Sequence, residues 1–377
     1  MKVTVDLSPS VQGRAGLGRY AQELTRALLD TSPGDETLGV FINDPRRRSP
    51  DPGLAGLPLK RLVLGNKPWR MSTLLGQLLH LPQDRWVGQP DVFLATEHLL
   101  PRFRHTRSVF TLHDLIFKFF PAAHLPLNRW FLNLVMPRFL RAADAVVAVS
   151  ECTRRDAIRC YGLPAGKIHV IYEGVNACFR RVSDRAVLDE VRRRYGLPER
   201  YVLCVGTIEP RKNLGQLFEA FRLAQTADAQ LVVVGRKGWL FAETFARLRA
   251  LGLENRAVFT GFVPDEDLPA VYSAAQVFAF PSLYEGFGLP VVEAMACGTA
   301  VVCSRAASLP EVAGDAALLV APDDLRGWSE ALSRLLLDAG LRADLGERGQ
   351  RQAARFSWAQ AARRTRQLYR EVYARPH

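Results

Sequence analysis

The chain has 377 residues, of which 48% are hydrophobic and 23% charged, and its formal net charge is +12. This length exceeds the size at which one hydrophobic core stops growing, so we predict two domains. No apolar run is long enough to span a membrane, and residues 1–7 read as a strand without a charged-then-apolar leader. We therefore expect a cytoplasmic protein.

The positive charge and the cysteines limit the partners that the chain can have. Residues 1–180 contain 24 Lys and Arg against 15 Asp and Glu, whereas the remainder contains 26 against 23. A basic N-terminal half favours an anionic partner, although a merely solvated basic surface remains the alternative. The six cysteines form no C-x-x-C pair, which favours reduced core thiols over a metal site.

Short apolar runs alternate with amphipathic stretches, and they predict two series of strands. The first series is predicted at residues 3–7, 38–42, 91–95, 108–112, 145–149 and 168–172. The second is predicted at residues 201–205, 230–234, 257–260, 277–280, 300–303 and 317–320. Helical patterns fill most gaps, for example at 18–30, 152–161, 214–225 and 324–338. Apolar strands between helices are typical of parallel sheets, so two doubly wound α/β domains are predicted.

Three further segments do not belong to these sheets. Residues 44–58, rich in Pro, Gly and Arg, predict a mobile loop, and a final helix at 357–373 follows the second sheet. The stretch 127–142 mixes Trp130, Phe131 and Phe139 with arginines. That pattern favours core packing over an interfacial membrane face.

Two motifs lie at strand ends of the first series. Gly16 and Gly18 follow the first strand and open a helix, where glycines allow a phosphate to approach closely. The spacing is not G-x-G-x-x-G, so an ordinary strand-to-helix turn is equally good. His113 ends the fourth strand, on the side of an α/β sheet where ligands bind. A structural histidine is the alternative reading.

Two motifs of the second series carry charge. Gly206 ends a strand, and Arg211 and Lys212 then lie at a helix start, where cations oppose the helix dipole. An anion such as a diphosphate would neutralise them. Further on, Glu285 and Glu293 form an E-x7-E element around a Gly-Phe-Gly turn and a proline. This pattern predicts Glu285 in a loop and Glu293 one turn inside a helix, beside an N-terminus that favours phosphate.

Taken together, these motifs resemble the retaining glycosyltransferases of family 4, which have the GT-B fold. The resemblance runs along the whole chain, and its most specific part is the E-x7-E element in order with the Arg-Lys pair. The opening Gly-Leu-Gly-Arg-Tyr of residues 16–20 is similar to the mannosyltransferase B-like branch. Other matching segments are residues 111–114, 149–151, 173–176 and 261–264.

The resemblance implies an α/β fold with two Rossmann-like domains facing a central cleft and a C-terminal helix crossing back to the N-terminal domain. Residues 1–180 would bind the acceptor, 181–355 the nucleotide-sugar, and 356–377 would form the crossing helix. His113 and Glu285 would lie at the reacting sugar as catalytic residues. The donor-binding residues would be Gly16, Gly18, Gly206, Arg211, Lys212, Val263, Phe287, Gly288, Leu289 and Glu293.

Within that set, Arg211 and Lys212 would bind the diphosphate, Glu293 the ribose hydroxyls, and Val263 would lie by the base. The resemblance implies no divalent metal and no other cofactor. Transfer with retention would need no protein nucleophile, since an oxygen of the leaving phosphate can take the acceptor proton.

We therefore expect a hexosyltransferase that moves mannose from GDP-mannose to a glycan or lipid-linked acceptor in polysaccharide biosynthesis. A UDP- or ADP-sugar donor is the alternative on the same fold. A nucleotide-sugar epimerase or phosphorylase would lack the E-x7-E element. A nucleic-acid-binding protein would interleave its charges with exposed aromatics, so no nucleic-acid partner is expected. The basic half also predicts peripheral contact with an anionic membrane, on the inner face of the cell membrane.

Overall fold

The computed structural model describes residues 1–123, 125–225 and 228–376, which form thirteen strands and fifteen α-helices. The first sheet contains β1 Lys2–Asp6, β2 Thr37–Asn43, β3 Leu59–Leu62, β4 Val92–Ala95, β5 Arg107–Leu112, β6 Ala145–Ala148 and β7 Ile168–Val170. The second contains β8 Tyr201–Val205, β9 Gln230–Val234, β10 Ala257–Gly261, β11 Val277–Phe280, β12 Ala300–Ser304 and β13 Ala317–Val320.

The helices alternate with these strands along the chain. Those before β8 are α1 Ser8–Val11, α2 Ala15–Asp30, α3 Asn66–Leu78, α4 Ile116–Phe119, α5 Pro126–Ala142, α6 Glu151–Tyr161 and α7 Arg185–Tyr195. Those after β8 are α8 Leu214–Leu223, α9 Ala242–Ala250, α10 Leu268–Ala274, α11 Leu289–Ala296, α12 Leu309–Ala313, α13 Leu325–Leu337, α14 Ala339–Ala353 and α15 Trp358–Ala374.

Both sheets have the strand order of a doubly wound fold, and their paired strands run parallel. The order is β3-β2-β1-β4-β5-β6-β7 in the first sheet and β10-β9-β8-β11-β12-β13 in the second. The order reverses between β1 and β4, and again between β8 and β11. In such sheets ligands bind outside the carboxyl ends of the strands at this switch point. The two doubly wound α/β sheets predicted from the sequence are confirmed.

Continuous apolar strands form these sheets because helices cover both of their faces. All four residues of β6 and all four of β11 are buried. In the first sheet Phe139 of α5 packs into the core, and in the second Phe218 of α8 does so. Burial of this kind stabilises the fold by roughly 25 cal/mol per Å² of apolar surface removed from water.

The chain divides into two units, each built around one sheet. Unit 1 comprises Met1–Gly174 and Ser357–His377, and unit 2 comprises Val175–Phe356. The change of unit comes a few residues before the predicted boundary at 180/181. Residues 175–182 are held within unit 2, where Val175 N–H donates to the Phe356 carbonyl at 3.1 Å and Phe179 contacts the ring of Tyr272.

Helix α15 returns to unit 1 and packs on α2. Arg366 Nη2 donates to the Leu28 carbonyl at 2.7 Å, and Arg366 Nε lies 2.9 Å from Glu36 Oε1. Tyr369 Oη also donates to Glu36. The whole positive excess lies in unit 1, which contains 28 Lys and Arg against 16 Asp and Glu, whereas unit 2 contains 22 of each.

Three features differ from the sequence predictions or refine them. Strand β3 was missed because its sequence, Leu-Lys-Arg-Leu, has no continuous apolar run, as is usual for an edge strand. The predicted loop at 44–58 contains a short 3₁₀ turn, and its Leu54 is buried in the core beside β2. Core packing holds for Phe131 and Phe139 of α5, but Trp130 is 63% exposed.

Replacing Arg366 with alanine is predicted to lower the free energy of unfolding by about 3 kcal/mol, because the buried Glu36 carboxylate would lose its nearer charged partner and keep only the more distant Arg370. Urea denaturation measures this change. Arg363→Ala is the matched control, since Arg363 lies exposed on the same helix. Equal stabilities of the two variants would contradict the prediction.

Candidate functional site

The loop between β11 and α11 carries the first of the two predicted carboxylates. Glu285 lies in this loop, and Glu293 lies inside α11, as the E-x7-E pattern predicted. Gly288 caps the helix with a φ of +105°, and a Cβ there would lie 2.7 Å from Leu309 Cδ2. A side chain would be strained in this conformation, so the glycine lets the loop turn directly into the helix.

Glu285 lies between the two predicted cations. Arg211 Nη1 is 2.5 Å from Glu285 Oε2, and Lys212 Nζ is 2.7 Å from Glu285 Oε1. Both cations belong to a short 3₁₀ turn, Pro210–Lys212, which lies between β8 and α8 at the carboxyl end of the sheet. The structure therefore brings Glu285, Arg211 and Lys212 together at the switch point of unit 2.

Glu209 completes this network, and the sequence analysis did not assign it a role. Its Oε1 accepts hydrogen bonds from Arg211 Nε at 3.0 Å and from Arg211 Nη2 at 2.6 Å. From the sequence, a diphosphate was one anion that could neutralise Arg211 and Lys212. In the structure, the carboxylates of Glu209 and Glu285 neutralise them. A bound diphosphate would have to share or replace these carboxylates.

Burial and charge act in opposite directions on this network. Burial alone would raise the pKa of Glu285, but the charges of Arg211 and Lys212 outweigh it and hold the pKa at about 2. Burial, together with Arg211, lowers the pKa of Lys212, whereas Glu285 raises it. Glu285 is consequently ionised at neutral pH, so it has no proton to donate as a general acid.

Gly206 makes room for Lys212, and Gly235 makes room for the backbone of Gly206. Gly206 has a φ of +150°, and a Cβ on it would lie 3.0 Å from Lys212 Cε. Gly235, at the end of β9, packs so closely that a Cβ on it would overlap the Gly206 carbonyl oxygen. The ammonium of Lys212 lies 4.5 Å from the centre of the Phe280 ring, which supplies a cation–π contact.

The second predicted carboxylate, Glu293, is buried and positioned by a tyrosine. Tyr272 Oη donates to Glu293 Oε2 at 2.9 Å. Tyr272 lies on α10, far from the E-x7-E element in sequence, and no local pattern pointed to it. A hydrogen bond of this kind fixes the carboxylate in one orientation.

The backbone of the loop is held by Ser308, another residue that no motif indicated. Ser308 Oγ lies 2.9 Å from the carbonyl oxygens of both Glu285 and Phe287. The side chains of Phe287 and Leu289 are buried. Because these side chains are buried, the predicted contacts of this segment with a donor would come from its backbone N–H groups. Ser308 restrains the conformation of that backbone.

Val263, predicted to lie by the base of the nucleotide, follows the end of β10. Its side chain is buried, whereas the preceding Phe262 is 57% exposed. The guanidinium of Arg236 lies 4.4 Å from the centre of the Phe262 ring. The exposed Phe262 ring and the Arg236 guanidinium form a flat surface on which a planar ring, such as a nucleotide base, could stack.

His113 lies in unit 1, at the carboxyl end of β5. Its Nε2 donates to the Thr96 carbonyl at 2.9 Å, and its Nδ1 is 3.4 Å from Glu173 Oε1. The ring of Tyr20 packs edge-on against it at 4.7 Å. Both ring nitrogens therefore face protein groups, which is also the environment of a structural histidine.

A buried acidic pair lies at neighbouring strand ends of unit 1, and sequence reasoning missed it. Burial, reinforced by the charge of Glu97, raises the pKa of Asp6 to about 7. Burial likewise raises the pKa of Glu97, although Arg14 forms an ion pair with it. Asp6 ends β1 and Glu97 follows β4, so the pair marks the switch point of this sheet.

The predicted glycines of unit 1 have different environments. Gly16 is exposed in the first turn of α2, and no atom would obstruct a Cβ there. Gly18 is buried inside α2, where a Cβ would lie 2.9 Å from the Pro9 carbonyl oxygen. Close packing of α2 on α1 is thus a sufficient reason for glycine at position 18.

The arrangement in unit 2 suits electrostatic binding of an anion. Two fixed cations lie at a switch point beside a helix N-terminus, where backbone N–H groups favour phosphate. Among the residues that the structure describes, no cluster of three or more His, Cys, Asp or Glu could hold a metal ion.

Comparisons with known protein families agree with this architecture. The family model "Glycosyl transferases group 1" matches residues 189–352, and "Glycosyltransferase Family 4" matches residues 14–178. The chain is 30% identical to O-antigen chain mannosyltransferase B of Escherichia coli, over 98% of this chain and 100% of that protein. It is 33% identical to the serotype-specific mannosyltransferase WbdA of E. coli, over 68% of this chain and 32% of that protein.

Solved structures share the fold of the whole chain. Sucrose-phosphate synthase from Thermosynechococcus elongatus superposes with a TM-score of 0.79 at 23% identity, covering 99% of each chain. Anabaena HepE, in complex with UDP and glucose, superposes with a TM-score of 0.73 at 21% identity, covering 98% of this chain and 100% of that one. These similarities confirm the predicted GT-B fold class.

Glu285 is predicted to stabilise unit 2 in a pH-dependent way. Its folded pKa, about 2, is below the usual value of 4.5, so its contribution is fully present above pH 4.5 and is lost as the pH falls towards 2. Glu285→Gln should therefore lower the free energy of unfolding by about 3 kcal/mol at neutral pH, and by less at acidic pH.

Urea denaturation at several pH values measures this difference. Glu347→Gln is the matched control, because Glu347 is exposed on α14 in the same unit and should show no such loss. If the free energy of unfolding of Glu285→Gln stays below that of the wild type by the same amount from neutral to strongly acidic pH, the lowered pKa of Glu285 would be contradicted.

Proposed function

Because the chain belongs to glycosyltransferase family 4, we propose that it transfers mannose from GDP-mannose with retention of anomeric configuration. The chain is a glycosyltransferase, and its full-length relative is named a mannosyltransferase. The donor and the stereochemistry are the proposed part. The observation that supports a nucleoside-diphosphate donor is the network of Arg211, Lys212 and Glu285 at the switch point of unit 2, and the mannosyltransferase relatives support mannose as its sugar.

In the proposed mechanism, the cations of this network stabilise the leaving group. Negative charge develops on the nucleoside diphosphate as its bond to the sugar breaks. Arg211 and Lys212, already fixed by carboxylates, meet that charge with little reorganisation. An oxygen of the leaving phosphate takes the acceptor proton on the same face of the sugar, so that no protein nucleophile is needed.

The carboxylates then have distinct proposed roles. Glu285, held ionised by its two cations, would accept hydrogen bonds from sugar hydroxyls. Glu293, oriented by Tyr272, would accept hydrogen bonds from the ribose. His113 would contact the reacting sugar, and the hydrogen bond from its Nε2 to the Thr96 carbonyl holds the ring in place. No metal or other cofactor enters this mechanism.

We propose a glycan or lipid-linked acceptor, bound by unit 1, and peripheral contact of that unit with an anionic membrane. The net charge of unit 1 supports the membrane contact, since 28 basic residues oppose 16 acidic ones. None of the described helices is long and apolar enough to cross a bilayer. All six cysteines are free thiols, which supports action on the cytoplasmic side.

A UDP- or ADP-sugar donor is the second candidate. Anabaena HepE holds UDP and glucose, but at 21% identity it shares only the fold with this chain. The two mannosyltransferase relatives favour mannose over glucose. The network around Arg211 would bind the diphosphate of either donor, so it does not discriminate between them.

Thermal shifts with a panel of donors test the proposal. A ligand that binds only the folded state raises the melting temperature, so GDP-mannose should raise it more than UDP-glucose, UDP-N-acetylglucosamine or ADP-glucose. Arg211→Ala/Lys212→Ala should abolish most of the shift, because charge-assisted hydrogen bonds are worth roughly 1.5–3 kcal/mol each. A larger rise in melting temperature with a UDP-sugar would identify that sugar as the donor instead of GDP-mannose. An unchanged rise in the double variant would refute diphosphate binding by Arg211 and Lys212.

Glu293→Gln is predicted to raise the KM for the donor more than tenfold, because the amide keeps the shape of the side chain but loses the charged acceptor. Steady-state kinetics at saturating acceptor measure this effect. Tyr272→Phe is the companion variant, since it removes only the hydrogen bond that orients Glu293. Wild-type donor kinetics in Glu293→Gln would leave the ribose contact without support.

A further inference from the structure

Helix α3 of unit 1 exposes an apolar face. Its inner face, with Trp69 and Leu74, is buried in the core. On the outer face Met71, Leu75 and Leu78 follow one another at helical spacing, and each is nearly half exposed. The outer face of a surface helix is usually polar, so three exposed apolar residues in a row on this face are unusual.

The start of α5 adjoins α3 and continues the apolar surface. Arg70 of α3 joins the two helices, because its Nη2 donates to Asn128 Oδ1 at 2.7 Å and its guanidinium lies 4.0 Å from the centre of the Phe131 ring. Beside this junction Leu127 is 85% exposed and Trp130 is 63% exposed. We call the exposed side chains of the two helices, with their neighbouring cations, the α3–α5 surface; its apolar members are Met71, Leu75, Leu78, Leu125, Leu127 and Trp130.

Exposed apolar side chains are concentrated around this surface. Of the 17 large hydrophobic side chains that are exposed among the described residues, 11 lie between Leu59 and Trp130. Those of unit 2 are scattered singly, which is normal for a protein surface. A contiguous apolar patch of this kind marks a site that is covered by a partner.

The charges on the same segments are of one sign. The sequence has no Asp or Glu from residue 52 to 83, nor from 115 to 143. Those stretches contain Lys60, Arg61, Lys67 and Arg129, which are exposed or half-buried. The next acidic residue, Asp84, is buried and accepts backbone N–H groups of residues 104–106. The patch is therefore apolar and cationic, with no exposed acid within these segments.

We propose that the α3–α5 surface docks unit 1 on an anionic lipid bilayer. The apolar side chains would enter the boundary between headgroups and acyl chains, where Trp is favoured, and the cations would contact lipid phosphates. A second copy of the chain fits less well, because a symmetric dimer would place this cationic surface against itself. The inference rests on the proposed membrane contact and deepens it by naming the surface and its lipid chemistry.

Sedimentation with vesicles tests this inference without requiring sugar transfer. Wild-type protein should sediment with vesicles of phosphatidylcholine and phosphatidylglycerol, and much less with phosphatidylcholine alone. Leu127→Ser/Trp130→Ser and, separately, Lys67→Glu should each weaken binding roughly tenfold or more. The matched controls are Leu223→Ser/Leu337→Ser, which removes exposed leucines of unit 2, and Arg364→Glu, which changes the charge of unit 1 equally but on α15. The controls should bind like wild type.

Three outcomes would overturn the inference. Suppose that Lys67→Glu and Arg364→Glu weaken vesicle binding equally and that Leu127→Ser/Trp130→Ser does not weaken it. The protein would then bind membranes through its net charge alone, and the α3–α5 surface would be rejected. Absence of vesicle binding would reject membrane contact, while the donor thermal shifts would still test transfer independently. A dimer seen by analytical ultracentrifugation, dissolved by Leu127→Ser/Trp130→Ser and without vesicle binding, would assign the surface to a second copy. Melting temperatures of all variants establish that they are folded.

Discussion

The buried contact between Glu285 and the pair Arg211 and Lys212 organises the site of unit 2. Taking these charges out of water is costly, and the cost is offset only because each finds an opposite charge at short range. The geometry of the loop after β11 and of the turn before α8 follows from that requirement. Under the proposed function, cations already fixed in place would meet the negative charge of the leaving diphosphate with little reorganisation.

The sheets determine where such a network can form. In both units the strand order reverses next to the first strand of the series, and the loops at that point carry the polar residues. Glycines with unusual backbone conformations then set the fine geometry. Gly206 gives Lys212 its space, and Gly288 starts α11 immediately after the loop. The two units also differ in net charge: unit 1 carries an excess of basic residues, whereas basic and acidic residues balance in unit 2.

Much of the fold could be predicted because buried parallel strands are continuous apolar runs, and each predicted strand is present. The edge strand β3 lacks such a run and was missed. The E-x7-E element correctly placed Glu285 in a loop and Glu293 in a helix, and together with the Arg-Lys pair it indicated where the candidate site lies. Tyr272 and Ser308 could not be found in this way, since their roles depend on contacts between segments that are distant in sequence. Glu209 lies only two residues from Arg211, but its spacing does not show that its carboxylate turns towards that guanidinium. For the same reason the exposed face of α3 became visible only when its neighbours were placed.

The internal neutralisation of Arg211 and Lys212 alters how donor binding should be understood. The cations do not wait unpaired for a ligand, so binding is an exchange of partners, and affinity depends on how well phosphate oxygens compete with Glu209 and Glu285. A crystal structure with GDP bound tests this claim most directly. We expect diphosphate oxygens within hydrogen-bond distance of the Arg211 guanidinium and the Lys212 ammonium, with at least one carboxylate contact lengthened. Phosphates bound elsewhere, with both ion pairs to Glu285 unchanged, would contradict it.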